Sequence, residues 1–380
     1  MSLSPQDWGS LIRVVCAFLL TRMVLYVTGA IAIRMLPPNS ALPAETFLGR
    51  NFSLVGWVRW DAGWYLSIVE RGYWINPQGP SNVAFFPLLP LLIKLVALLT
   101  GNAVVAGLLV VNIAALGATL ALWRWVRAEA GPVAAESSVL WLLVYPFSFF
   151  LHSIYAETLY FLLVTLALAA SSRGHRLTAG LWGFLAALTR PMGMLLTPAL
   201  AWGLWQDHRA GRPLRRRDVL AVVLPVVGVG VYATYLWIAF GDPLACWTAH
   251  RIGWHVESQS TVSRYWLETY EVLTRLVRVH TYSHLFDVMR IVLPPVFVGL
   301  TVAVFRRLGS VPGIYASLTV AVSVLFAIES VGREFLAVIP AFAVAGIVLR
   351  PGTVAETLRF VSLGFLLLFF FAFAMGRFVG

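Results

Sequence analysis

The most distinctive segment of this chain, residues 57–73, reads WVRWDAGWYLSIVERGY. Read as a helix that ends at Gly72, it places five side chains on one face: Trp57, Asp61, Trp64, Tyr65 and Ile68. Asp61 is the only acid on this aromatic face. Such an acid is either a candidate general base or the solvated first-turn acid of a helix whose tryptophans lie at lipid headgroups. The segment alone leaves both interpretations open.

The composition is that of a membrane protein. Of the 380 residues, 59% are hydrophobic and 12% are charged, which is about half the charged fraction of a typical soluble domain. The mean hydropathy is +0.82, and apolar runs of about 20 residues recur along the chain. These features predict an all-α polytopic membrane protein. The first apolar run contains Arg22 and lacks a following cleavage site, so we interpret it as an uncleaved span.

The net charge of +11 does not indicate a nucleic-acid partner, because the basic residues lie in short clusters between apolar runs. This pattern is typical of cytoplasmic loops. All the clusters fall on one side if residues 84–100, which contain Pro87, Pro90 and Lys94, lie at the membrane surface instead of crossing it. The sequence then predicts about 11 transmembrane helices, with the N-terminus in the cytoplasm and the C-terminus outside.

The predicted spans lie at 9–36, 103–126, 133–151, 155–171, 176–190, 192–206, 218–240, 288–305, 311–328, 333–349 and 356–378. Together they form one predicted integral membrane domain, residues 1–380. A first external loop with interfacial helices, residues 37–102, and a long external loop, residues 241–287, dominate its outer face. Cys16 and Cys246 fall far apart, so no disulfide is expected. The pairs Gly180/Gly183 and Gly228/Gly230 indicate close helix packing.

Further polar residues fall on the predicted external face. One turn contributes His152, Tyr155 and Glu157, and the outer ends of two other spans contribute Arg190 and Arg333. An arginine beside a helix N-terminus, as at Arg333, is suited to binding a phosphate. The structural alternatives are hydrated turn residues and arginines that reach external headgroups.

The long external loop adds Arg251 and His255, which are spaced to lie on one side of a helix that closes over a substrate. No Cys/His spacing or carboxylate triplet indicates a metal site. The sequence therefore predicts no cofactor, and it leaves a divalent cation open.

Several of these segments together resemble a known family. They are RWDAGWY at 59–65 with GY at 72–73, FFPLLP at 85–90, YAE at 155–157 and LTRP at 188–191. The chain resembles the PIG-V-type mannosyltransferases, typified by the second mannosyltransferase of glycosylphosphatidylinositol anchor synthesis, in a bacterial version. That family belongs to the GT-C superfamily of integral membrane glycosyltransferases. The resemblance covers residues 55–195 by motif and the whole chain by span pattern.

The resemblance implies that the chain transfers a sugar, with mannose as the expected one, from a polyprenyl-phosphate donor to a glycolipid or glycan acceptor. The reaction would invert the sugar and take place on the external face of the cell membrane. It further implies that Asp61 is the essential acid of the first external loop and acts as the general base. Glu157 corresponds to a second acid and Arg333 to a late outer arginine. The other candidate substrate contacts are Arg59, Trp60, Trp64, Tyr65, His152, Tyr155, Arg190, Arg251 and His255.

Two departures from the family pattern limit what the resemblance implies. Eukaryotic relatives act on an inositol glycolipid that most bacteria lack, so the acceptor does not carry over. Arg333 is followed by Glu334, where the pattern leads one to expect an aromatic residue.

A transporter or flippase for a lipid-linked sugar is the alternative from another functional class. Arg22 and the outer arginines would then contact phosphate along a path through the membrane. A transporter requires polar residues near the middle of the membrane and broken helices in paired halves. Here the polar residues cluster on one face and no two-half symmetry is visible, so the sequence favours the enzyme.

Overall fold

The structure, a computed structural model, describes residues 4–35, 52–254, 269–270, 274 and 282–379. All regular elements in these ranges are helical, so the predicted all-α class is confirmed. Cys16 and Cys246 are both free, as the sequence predicts.

The helices cover most of the described chain. The α-helices are α1 (Pro5–Arg34), α2 (Asp61–Arg71), α3 (Leu88–Thr100), α4 (Ala103–Val144), α5 (Ala156–Ser172), α6 (Arg176–Thr189), α7 (Leu196–Arg209), α8 (Arg216–Phe240), α9 (Ala245–Trp254), α10 (Tyr282–Leu308), α11 (Ser310–Phe326), α12 (Val331–Glu334), α13 (Ile339–Val348) and α14 (Thr353–Ala374). Short 3₁₀ helices lie at Phe52–Trp57, Asn82–Ala84, Ser148–Leu151, Pro191–Leu195, Ile328–Ser330 and Phe335–Ala337.

Helix α4 is broken near its middle. It contains 42 residues, and a straight helix of that length would extend about 63 Å, about twice the hydrocarbon thickness of a bilayer. Gly131, with φ of 84° and ψ of 175°, leaves the helical conformation immediately before Pro132. The break lies between the predicted spans 103–126 and 133–151, so the sequence correctly predicts two helical segments here.

Within the described residues, five helical segments are able to cross a membrane by length and composition: Pro5–Arg34, Ala103–Val144, Arg216–Phe240, Leu285–Leu308 and Thr353–Ala374. A sixth candidate is the pair Ser310–Phe326 and Ile328–Ala337, which bends by 111°. Helices α3, α5 and α13 are apolar but shorter. The total of about 11 spans therefore stays a prediction.

Helices α6 and α8 pack in close backbone contact. A Cβ added at Gly180 or Gly228 would collide with the backbone of the facing helix, and one at Gly183 would overlap Pro225. Gly230 faces open space. The packing prediction is therefore confirmed for three of the four glycines. The contact fixes the direction of α6, whose C-terminal end leads into Arg190.

The short length of α3 leads to a topology prediction. The helix has 13 residues and extends about 20 Å, which is too short for a hydrocarbon core of about 30 Å. In a background without Cys16 and Cys246, Thr100→Cys is therefore expected to react with an impermeant thiol reagent added outside intact cells. The side chain of Thr100 is exposed, and the change leaves Asn102, which caps α4, in place.

Two control positions calibrate this labelling. Gln78→Cys, in an exposed loop before α3, is expected to react from outside, and Ala210→Cys, beside a predicted cytoplasmic basic cluster, only after permeabilisation. If Thr100→Cys follows Ala210→Cys, then α3 crosses the membrane.

Candidate functional site

Five charged side chains meet at one end of the helix bundle and form what we call the ion-pair cluster: Asp61, Glu157, Arg190, Arg333 and Glu334. Arg333 Nη1 lies 2.6 Å from Asp61 Oδ2, and Arg333 Nε lies 3.3 Å from Glu157 Oε1. Arg190 lies between two acids, with Nη1 3.1 Å from Glu157 Oε1 and Nη2 2.6 Å from Glu334 Oε1. Acidic and basic side chains alternate through the cluster. They join α2, α5, α12 and the residue that follows α6.

The cluster contains three acids and two arginines, so its formal charge is −1. The side chains of Glu157 and Glu334 are only 5% and 6% exposed, whereas that of Asp61 is 22% exposed. Buried charges require partners because losing hydration is costly, and here each acid has an arginine. Asp61 is the acid that a bound molecule would reach first.

Asp61 is held in place by its backbone as well as by Arg333. The Tyr155 hydroxyl donates to the Arg59 carbonyl at 3.1 Å and accepts from the Asp61 backbone N–H at 3.2 Å. Between these two residues, Trp60 has φ of 52°. It is the only non-glycine residue with positive φ in the described ranges. Strain of this kind persists only where surrounding contacts maintain it, and Tyr155 supplies two of them.

This backbone turn corrects the helix predicted over the segment. Trp57 belongs to the 3₁₀ helix Phe52–Trp57, and α2 begins at Asp61. Trp57 therefore does not share a helical face with Asp61. The physical reason is the conformation of Trp60, which interrupts the helical path. The predicted end is confirmed, since α2 stops at Arg71 and Gly72 has φ of 76°.

Arg333 is placed by tight packing of its own turn. The Tyr145 hydroxyl donates to the Gly332 carbonyl at 2.8 Å, and a Cβ at Gly332 would collide with the Phe147 ring. The guanidinium carbon lies 5.6 Å from the centroid of the Phe150 ring. The turn therefore points Arg333 into the cluster.

Aromatic rings follow Asp61 along α2. Trp64 stacks on Phe85 at 6.0 Å and lies 5.9 Å from Trp74. Tyr65 packs edge-on against Phe85 at 5.0 Å, and both of these rings are buried. Burial raises the pKa of Tyr65 well above its usual value, and the nearby carboxylates add to this effect, so the phenol stays neutral. Trp64 and Trp74 keep part of their surface exposed, and flat apolar surfaces of this kind are suited to a sugar or a lipid.

Helix α9, from the loop predicted over residues 241–287, approaches the same region. A Cβ at Gly253 would overlap Pro80, so α9 packs directly on the loop before the 3₁₀ helix Asn82–Ala84. Burial lowers the pKa of His250, while a hydrogen bond to the Ala84 backbone and the negative charge of Asp61 oppose that effect. His250 is a neighbour of the cluster that the sequence does not single out as a site residue.

Some predicted site residues lie elsewhere. The Arg59 guanidinium donates to the Ala374 carbonyl at the end of α14, with Nε at 3.1 Å and Nη2 at 2.5 Å. His152 is buried, with its ring 5.9 Å from that of Trp57 and Nδ1 3.4 Å from Asn112 Oδ1. These contacts serve packing of the helices.

The remaining predictions concern three positions. Arg251 lies exposed on α9, and His255 lies outside the described residues. Arg22, predicted to face the bundle interior, has its guanidinium carbon 4.1 Å from the Phe18 ring centroid. Its Nε has no hydrogen-bond partner among the described residues.

Glu334 belongs to the site, but the sequence indicates this residue only as a departure from a family pattern. A signal was present, because Glu334 precedes the apolar run FLAVIPAFAVAGIV, and an acid beside such a run requires a partner. That partner, Arg190, lies 144 residues away, so sequence spacing gives no means of choosing it.

Within the described part of the chain, no group of three His, Cys, Asp or Glu side chains is arranged to hold a metal ion. The acids of the cluster instead face guanidinium groups.

Comparison with known proteins agrees with the resemblance seen in the sequence. The profile of a family described as Mannosyltransferase (PIG-V) matches residues 10–207, which is more than half of the chain. A search of curated proteins found no match.

Several solved structures are similar to this one, among them those of two different proteins. The first is ArnT from Cupriavidus metallidurans, crystallised with undecaprenyl phosphate, with a TM-score of 0.55 and 16% identity over 91% of this chain and 62% of that chain. The second is the oligosaccharyltransferase of Archaeoglobus fulgidus in its apo form, with a TM-score of 0.49 and 13% identity over 95% of this chain and 56% of that chain. The chain thus spans less than two thirds of either protein. The likeness to ArnT shows a shared fold.

The hydrogen bonds of Tyr155 give a stability prediction. Tyr155→Phe leaves the Asp61 N–H without its Tyr155 partner and removes one of two donors from the Arg59 carbonyl, which keeps the Ala62 N–H. Losing a buried partner costs about 1–3 kcal/mol, so the melting temperature is expected to fall. Tyr235→Phe, which alters an exposed tyrosine on α8, is the matched control. Equal melting temperatures for the two variants would mean that Tyr155 does not stabilise the turn.

Proposed function

The chain belongs to the PIG-V mannosyltransferase family and has the GT-C fold that its sequence predicts, and from this premise we propose that it transfers mannose from a polyprenyl-phosphate-mannose donor to a glycolipid or glycan acceptor. The reaction takes place on the external face of the bacterial cell membrane. The observation that carries the proposal is the pairing of Asp61, the most exposed acid of the ion-pair cluster, with Arg333 at 2.6 Å. A candidate base and a candidate phosphate ligand thereby lie side by side.

The two arginines support a phosphate-bearing donor. A guanidinium group offers a planar fork of N–H donors that matches phosphate oxygens. Arg190 Nη1 and Arg333 Nε are buried and make no hydrogen bond within the described residues, although each lies near Glu157. Both nitrogens are held near Glu157 by charge, so a phosphate oxygen that takes the place of Glu157 at either one gains its hydrogen bond. The similar fold of ArnT, which was crystallised with undecaprenyl phosphate, supports a polyprenyl phosphate as that anion, with its lipid tail in the bilayer.

The chemistry proposed for the site is an inverting displacement. The acceptor hydroxyl oxygen attacks the anomeric carbon of mannose while the bond from that carbon to the phosphate oxygen breaks. Asp61 takes the hydroxyl proton as the general base. The electron pair of the broken bond leaves with the phosphate, whose charge Arg333 and Arg190 neutralise. Attack on the face opposite the leaving group inverts the anomeric centre.

The aromatic residues beside Asp61 are proposed to bind the sugar and the acceptor. Trp60 is 49% exposed and immediately precedes the base in sequence. Trp64 and Tyr65 extend from the first turns of α2, on the side of the Phe85 ring. Tyr155 acts on the base indirectly, by holding the backbone that carries it, and is therefore a positioning residue.

The base is tested by Asp61→Asn, which is expected to lower mannose transfer by about 10²–10⁴-fold, because the amide keeps the shape of the side chain but accepts no proton. The purified variant is incubated with radiolabelled polyprenyl-phosphate-mannose and a membrane lipid extract, and the labelled product is identified. Glu70→Gln, which neutralises an exposed acid on the same helix, is the matched control. Near wild-type transfer by Asp61→Asn would exclude Asp61 as the base.

The phosphate ligand is tested by Arg333→Lys and Arg333→Ala. Lysine keeps the charge but loses the fork, so the KM for the donor is expected to rise, and to rise further with alanine. Arg71→Lys, at the exposed end of α2, is the control for a change of the same kind away from the cluster. If Arg333→Ala has a normal donor KM and a normal kcat, Arg333 does not bind the donor phosphate.

A further inference from the structure

One oxygen of the Asp61 carboxylate, Oδ2, is already engaged. Arg333 Nη1 donates to Oδ2 at 2.6 Å, a short charge-assisted hydrogen bond. For an acceptor hydroxyl to donate to Oδ2 in place of Arg333, this bond has to be broken first. We call this contact the resting ion pair.

Arg333 does not depend on Asp61 alone to remain in the cluster. Its Nε lies 3.3 Å from Glu157, and its Nη2 lies 3.8 Å from Glu334. Both of these acids are more deeply buried than Asp61. The arginine is therefore able to leave Asp61 without becoming an unpaired buried charge. Glu157 and Glu334 act as positioning residues in this respect.

The charge count of the cluster identifies which acid is the exchangeable one. Glu157 and Glu334 together balance Arg190 and Arg333, and Asp61 is the acid in excess. A phosphate oxygen that approaches Arg333 competes directly with Asp61 for the same N–H donors. Asp61, which is the most exposed of the three acids, is the one that the phosphate displaces.

On the basis of the proposed function, we infer that the donor phosphate itself activates the base, by taking Arg333 away from Asp61. Before the donor binds, the resting ion pair occupies Oδ2 of Asp61. Once the phosphate accepts the Arg333 hydrogen bonds, Oδ2 is free to accept the hydrogen of the acceptor hydroxyl. The hydroxyl is therefore positioned on Oδ2 for proton transfer only when a donor is in place.

The resting ion pair opposes donor binding, because Arg333 must leave Asp61 before it binds the phosphate. Asp61→Asn removes the competing charge, so this variant should bind a polyprenyl phosphate more tightly than the wild type, by about tenfold, although it transfers sugar more slowly. Removing an acid that merely contacts a ligand would weaken binding instead.

The experiment measures the affinity of undecaprenyl phosphate for the purified full chain in detergent. The proteins are the wild type, Asp61→Asn, Arg333→Ala and the double variant, with Glu70→Gln as the control for loss of an exposed acid. A double-mutant cycle separates an effect through Arg333 from simple repulsion between Asp61 and the phosphate. Tighter binding by Asp61→Asn is expected in the presence of Arg333 and is expected to vanish in the Arg333→Ala background.

Arg333→Ala leaves Glu157 with one partner fewer and is therefore at risk of unfolding. A second variant, Arg333→Lys, provides the test in that case. Arg333→Lys retains the charge, and thermal unfolding reports whether each protein is folded. With lysine at this position the fork is lost, and the effect of Asp61→Asn is expected to shrink without disappearing.

The possible results distinguish the inference from the proposed function. Unchanged or weaker binding by Asp61→Asn overturns the inference alone, and so does tighter binding that persists in the Arg333→Ala background. If the wild type and Glu70→Gln fail to bind undecaprenyl phosphate at all, the lipid-phosphate donor fails and the inference fails with it.

Discussion

Arg333 occupies an apolar end of the helix bundle, and this is possible because carboxylates surround it. An isolated buried guanidinium would lose its hydration without a compensating interaction. Arg333 has two such interactions, since its Nη1 lies 2.6 Å from Asp61 Oδ2 and its Nε lies 3.3 Å from Glu157 Oε1. Arg190 stands in the same relation to Glu157 and Glu334. The pairs connect four segments that are distant in sequence. The position of each segment at this end of the bundle depends on the charges that the others supply.

The same pairs set the chemical properties of the site. Charges that hold helices together are ordinarily inert, because each is satisfied by its partner. The ion-pair cluster differs in having one acid in excess, and the excess acid is the most exposed one. In the proposed function, Asp61 exchanges its contact with Arg333 for a donor anion while Glu157 and Glu334 keep both arginines paired. In this proposal, the buried acids provide stability and Asp61 provides reactivity.

The backbone that carries Asp61 contains a strained residue that hydrogen bonds hold in place. Trp60 adopts a conformation that is unfavourable for a residue with a side chain, and the Tyr155 hydroxyl holds the turn on both sides. The result is that α2 begins at Asp61 and not several residues earlier. Its carboxylate therefore lies at the first turn of a helix, where the unpaired N–H groups favour a negative charge. Arg59, at the base of the turn, secures the end of α14.

The sequence by itself determined the class and the participants. Hydropathy indicated an all-α membrane protein, the predicted spans 103–126 and 133–151 separated two helical segments, and four members of the cluster were recognisable as Asp61, Glu157, Arg190 and Arg333. These features are local, because an apolar run or a motif is contained within a short stretch of sequence. Only the tertiary structure decided the pairing. Asp61 and Arg333 are 272 residues apart, Glu334 is recruited by a distant arginine, and Arg59 turns away to a helix end, since the partner of a buried charge is chosen by how helices pack.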